Sequence, residues 1–164
     1  MDKLKYIVVM VFIFFAFNSC EKDDICVDGD TPLLIIGFYD FDDQDDEEEP
    51  SNLVVRSLSS DGVYGDTIAN VDTDSIEIPL KITELSTMYS FSISDDDGTN
   101  INEDIVTFDY ATEEVYISRA CGYVVYYNNL IATLTEDDDN WIEQIDVEVT
   151  TIENEDDTHV KIYL

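Results

Sequence analysis

The amino-acid sequence predicts an all-β fold, a single antiparallel β-sandwich of roughly eight or nine strands, immunoglobulin-like or similar. Three observations carry this. Apolar residues recur at every second position in several separate segments. Clusters of Asp, Gly and Pro interrupt them at short intervals, as turns do. And 45% of the 164 residues are hydrophobic despite a net charge of −32, too many for a disordered acidic chain.

The strands follow in order. Residues 33–39 and 52–59 are more continuously apolar and suit central strands or strands covered on both faces. Ile76, Ile78, Leu80 and Ile82 alternate with Ser75, Glu77, Pro79 and Lys81. Pro79 donates no ladder hydrogen bond, which points to an edge strand. Tyr89, Phe91 and Ile93 alternate with serines, and Val106, Phe108 and Tyr110 alternate with Thr107 and Asp109. Residues 115–119 and 123–134 are again more continuously apolar, as suits central strands or strands covered on both faces. Ile145, Val147 and Val149, then Val160, Ile162 and Leu164, complete the pattern. At most one short helical turn fits, at 137–145. The low-complexity run DDQDDEEE at 42–49, ended by Pro50, reads as an acidic loop between strands.

Residues 1–19 stand apart from this fold. Lys3 and Lys5 precede twelve apolar residues, Tyr6 to Phe17. That length suits a signal-peptide core and falls short of the ~20 residues of a membrane span. Ser19-Cys20 then looks like the end of a lipobox, although Phe17 stands where Leu is usual. The expected organisation is a lipoprotein signal peptide (1–19), a lipid-anchored tether (20–31) and a β-sandwich domain (32–164), with lipid on Cys20. The alternatives are an ordinary signal peptide with unmodified Cys20, or an uncleaved anchor. Lys22, Asp23 and Asp24 are similar to the export signal that displays lipoproteins on the outer face of an outer membrane; the other reading is a periplasm-facing anchor.

Cleavage would remove Asp2, Lys3 and Lys5 and take the net charge from −32 to −33. Such a charge argues against nucleic acid, whose binding rests on basic groups displacing counterions. It leaves cationic partners and divalent ions. Cys26 and Cys121 remain besides Cys20. In an oxidising compartment such a pair is most simply a disulfide; the alternative is two free buried thiols.

The segments Cys20-Glu21-Lys22-Asp23-Asp24-Ile25-Cys26, Ser118-Arg119-Ala120-Cys121-Gly122-Tyr123, Asn140-Trp141-Ile142 and Thr158-His159-Val160-Lys161-Ile162 resemble a family of uncharacterised Bacteroidota lipoproteins, a domain of unknown function. The resemblance spans essentially the whole mature chain. It implies lipidation, one β domain and a Cys26–Cys121 bridge, and it brings no activity or substrate.

The chemistry of an enzyme is not evident. His159, the one histidine, is expected to point out of the last strand toward solvent. Paired carboxylates abound, but glycoside hydrolysis needs two that face each other with one pKa raised. No nucleophile elbow, P-loop or dinucleotide fingerprint occurs. No cofactor is expected, calcium excepted. Asp95, Asp97, Asn100, Asn102 and Asp104 supply oxygen ligands at near-alternate positions, although Ile93 stands where an EF-hand begins with an acid. Tyr123, Tyr126 and Tyr127 form an aromatic cluster that could hold a protein or glycan; core packing is the commoner fate of such residues. The expected function is a non-catalytic, membrane-anchored envelope lipoprotein of the outer membrane that binds an envelope protein or glycan. The alternatives are a calcium-dependent adhesive module and, further off, an envelope enzyme.

Overall fold

The computed structural model describes Cys26, residues 29–95 and residues 97–164. The described residues form nine strands: β1 (Leu34–Tyr39), β2 (Leu53–Leu58), β3 (Tyr64–Val71), β4 (Ser75–Ile78), β5 (Ser86–Ser94), β6 (Ile101–Ser118), β7 (Gly122–Leu134), β8 (Gln144–Val147) and β9 (Val160–Tyr163). They make two packed sheets, β4-β1-β9-β8 and β3-β2-β5-β6-β7. The predicted β-sandwich is therefore the fold. One pairing departs from the antiparallel expectation: β1 and β9 run parallel, with Ile36 beside Val160. They come from opposite ends of the chain, so no local turn dictates their relative direction.

Alternation puts one face of each strand inside. Leu34, Ile36, Phe38, Ile76, Ile78, Val160 and Ile162 line the four-stranded sheet. Leu53, Val55, Tyr89, Phe91, Val106, Phe108 and Tyr110 face them from the five-stranded sheet. Each large apolar side chain so enclosed contributes about 1.5–3 kcal/mol. β4 is an edge strand, as expected, but it ends at Ile78: Pro79 stops it, and Leu80 and Ile82 lie beyond it. The segment that follows is held by tyrosines. Tyr89 donates to the Pro79 carbonyl, Tyr127 to that of Leu80 at 2.9 Å, and Tyr110 to that of Lys81 at 2.8 Å.

Three other expectations change. β3 has no clean alternation, and its pairing with β2 shifts register near Arg56, which hid it from the sequence pattern. The segments at 106–110 and 115–119 are parts of one 18-residue strand, because the polar residues between them still pair with β7. And β7 is an edge strand rather than a central one, so the 118–123 segment is the end of a hairpin. A bulge interrupts its alternation. Asp109 pairs with Ile131 but Ala111 with Asn128, and Asn129 adopts φ 56°. One extra residue swaps the faces, so Tyr127 and Leu130 both point into the core. Among the described residues there is no helix, and 137–143 is a loop.

That loop is held by a buried acid. Asp104 lies on β6 opposite Phe91 and is wholly enclosed. Its carboxylate accepts from the backbone N–H of Trp141 (3.0 Å) and Ile142 (2.8 Å) and from the Asn140 amide (3.0 Å). The Trp141 indole donates to the Phe91 carbonyl at 3.2 Å. Every donor and the acceptor are satisfied, which is what makes a buried carboxylate tolerable.

Candidate functional site

β6 is the longest element, and its two ends carry the features that could meet other molecules. Eighteen residues of extended chain span on the order of 55 Å. β5 pairs with β6 only from Ile101 to Asp109. Beyond that, β6 pairs with β7 alone, and residues 113–118 and 122–126 form a two-stranded arm above the point where Tyr127 exchanges backbone hydrogen bonds with Ile152. The arm closes in a tight turn in which Gly122 has φ 75°, a conformation costly for other residues.

Cys121, in that turn, is bonded to Cys26. The disulfide fastens the N-terminal segment to the arm. Gly29 passes so close that a Cβ there would lie 2.0 Å from the Cys26 sulfur. Thr31 continues the attachment, its hydroxyl accepting from the Val125 N–H at 3.1 Å. Tyr116 and Tyr123 pair across the arm, ring centroids 5.3 Å apart and edge to face, and both are exposed. Arg119 is exposed at the turn itself.

The predicted aromatic cluster therefore divides. Tyr123 is on the surface, Tyr126 is half-buried, and Tyr127 is core. Assigning Tyr127 to a binding surface is corrected: burial raises its hydroxyl pKa to about 12, and the hydroxyl is committed to Leu80. Tyr116 was missed. The signal was available in the Ser118–Gly122 turn, which makes Tyr116 and Tyr123 cross-strand partners.

At the opposite end, the outer faces of β2, β5 and β6 form a shallow groove. Val54, Ser92 and Glu103 lie side by side, with Arg56, Ser94 and Ile101 around them. Tyr64 closes one side, donating to Glu103 at 2.7 Å. That bond to a carboxylate raises the Tyr64 pKa. Ile101 is 68% exposed, so the groove combines apolar contact with hydroxyl, guanidinium and carboxylate groups.

The residues considered for calcium are next to this groove but separately engaged. Asp95 accepts from the Asn100 N–H at 2.8 Å and from its amide, and Asp97 from the Thr99 N–H and hydroxyl. These donors lower both pKa values. The Asn102 amide donates to the Asp139 carbonyl, and Asp104 faces the interior. Among the described residues, no three His, Cys, Asp or Glu side chains are grouped to hold a metal ion.

His159 corrects another expectation. It is buried, and its Nδ1 accepts from the Ile35 N–H at 2.9 Å. Burial is the larger influence on its pKa and lowers it. Its place at the mouth of β9 brings it against β1, a neighbour that strand alternation alone does not reveal. Cys20, Lys22, Asp23 and Asp24 lie outside the described residues.

Together these features define a nine-stranded β-sandwich with a disulfide-fastened arm. The chain belongs to a family of unknown function, DUF6452, whose match covers residues 52–164. The match includes Cys121 and begins after β1, although β1 is an inner strand of the same sandwich. No curated protein and no solved structure matches the chain.

Proposed function

We propose that this protein is a membrane-tethered, non-catalytic interaction module of the cell envelope. Lipid on Cys20 holds it to the outer membrane, surface-facing by the Lys22-Asp23-Asp24 signal, and the groove at the start of β6 receives an envelope protein or glycan. One observation carries this reading: the Cys26–Cys121 bond fastens the tether side of the chain to one end of β6, while the groove lies at the other. Only six residue steps separate Cys20 from Cys26, at most about 20 Å of extended chain. The arm end is thereby held near the membrane and the groove is turned away from it. The groove's mixture of Ser92, Ser94, Arg56 and Ile101 suits a polar ligand with an apolar face.

The test has two arms. Intact-mass analysis of native protein should show a chain that begins at Cys20 with acyl mass added. Cys20→Ala should release it from the membrane, and a processed Cys20→Ala protein that stays bound would remove the tether. A photo-crosslinking residue at Ile101 should capture one discrete envelope species, diminished by Arg56→Ala. The same residue at exposed Ile131, on β7, should capture nothing specific. Equal capture from both positions would reject the groove.

A further inference from the structure

The arm carries a second surface, and the geometry points to its ligand being the lipid–water interface of the bilayer itself. This deepens the tethered reading and rests on it.

The first observation is in the charge distribution. Residues 115–135 contain no Asp or Glu, the longest such run in a chain that has 39 of them. The arm's turn lies within this run, and the cation Arg119 is at its extremity. Along the arm itself the carboxylates stop before the turn begins, and the acids near the turn are those of the tether side, such as the exposed Asp30. Glu113 and Glu114 are the last of the arm's own, exposed on its base. Glu114 precedes Ser118 by four residues, roughly 13 Å of strand. That is enough for the turn to sink to head-group depth without immersing an acid of the arm.

The second is the aromatic pair. Tyr116 and Tyr123 are 53% and 68% exposed on the same face of the ribbon. Tyrosine offers an apolar ring with a polar tip, the combination favoured where hydrocarbon meets water. The third is the tether. Because Cys121 is bonded to Cys26, this turn is the part of the fold that a lipid on Cys20 must keep within reach of the bilayer. High local concentration then lets a modest contact persist. Docked in this way, the arm would set the orientation of the sandwich and hold its acidic body off the surface.

The test uses full-length, acylated protein in phosphatidylcholine vesicles, with and without lipid brominated on the acyl chains. Tyr123→Trp should add an emission that is blue-shifted and quenched by the brominated lipid. Ile101→Trp, at the far end of β6, should add one that is not. Trp141, beside Asp104 at that same far end, serves as the internal check that each variant is folded. Tyr116→Trp repeats the experiment on the partner ring should Tyr123→Trp disturb the turn. Unquenched emission from both arm positions in vesicle-bound, acylated protein overturns the docking and leaves the tether standing. Protein that lacks acyl mass and does not float with vesicles overturns the tether and the docking together.

Discussion

Tyr127 and Leu80 are joined across the core: the β7 hydroxyl donates to the Leu80 carbonyl at 2.9 Å, beyond the end of β4. Tyr89 and Tyr110 serve the carbonyls on either side of it. An edge strand broken by Pro79 is thus closed by three rings from the opposite sheet. The rings support one another, since Tyr110 and Tyr127 meet edge to face with centroids 5.0 Å apart.

Tyr127→Phe would keep the ring and strand the Leu80 carbonyl without its donor. A loss of about 1–2 kcal/mol is expected, read as a fall of a few degrees in Tm. The alkaline limb of stability reports the same residue. Its pKa is raised from 10.0 to about 12 in the folded state. Between those values the native protein holds a proton that the unfolded chain has lost, so stability falls as pH rises through this window. The Phe variant should show a shallower alkaline fall in urea midpoints. An unchanged slope would mean that Tyr127 is not the group responsible.

Asp104 makes Trp141 a reporter. Asp104→Ala leaves three donors without an acceptor and should cost about 2–3 kcal/mol. Burial raises the Asp104 pKa above its ordinary 3.8, against the pull of the Ile142, Asn140 and Trp141 donors. Above the unfolded value the native state therefore retains a proton longer, and this group's contribution to stability increases as pH falls through the raised pKa. Trp141 emission should titrate with a midpoint above 3.8 in the native protein and not in Asp104→Asn. A midpoint at or below 3.8 would contradict the burial.

His159 acts in the opposite sense. Its folded pKa is lowered from 6.5 by burial, so the unfolded chain takes up a proton first as pH falls. Stability should decline below 6.5 and go on declining down to the depressed folded value. Protonation also removes the Nδ1 acceptor of the Ile35 N–H. His159→Ala should cost roughly 2 kcal/mol at neutral pH and flatten this decline. Equal slopes in both proteins would show that carboxylates alone govern the acid limb.

The Cys26–Cys121 bond closes a loop with a sequence separation of 95. Chain entropy sets a ceiling of about 4–5 kcal/mol on its contribution, and a few kcal/mol is the expected loss on reduction. Non-reducing peptide mapping should recover the linked pair. Two alkylatable thiols in freshly isolated protein would remove both the bridge and the attachment of the tether to the arm.

Calcium is expected to act here only as a salt. Asp95 and Asp97 are already occupied by donors from Asn100 and Thr99, and Asp104 is enclosed. Calcium chloride and sodium chloride at matched ionic strength should raise Tm equally, by screening a strongly negative chain. A larger rise with calcium would indicate a specific site.

The sequence by itself determined the sandwich, because period-two alternation at Ile76–Ile78, Tyr89–Phe91 and Val106–Tyr110 fixes which face of each strand is buried, whatever it pairs with. It also pointed to an edge strand at 75–82, and β4 is one, but it ends at Ile78, so Pro79 stops the strand rather than sitting in its ladder. Other features depended on partners distant in the chain. Alternation put His159 outside, but its ring is covered where β9 meets β1. The acids around Asp104 read as one loop of oxygen ligands, yet one of them turns inward to three donors some 37 residues away. The apolar run in β7 resembled a central strand, yet β7 lies at the edge of its sheet, and an extra residue near Asn129 puts Tyr127 and Leu130 on one face. Local pattern records how often a residue must be hidden. Which residue hides it, and which end of a long strand is left in the open, follows only from the pairing of segments brought together by the fold.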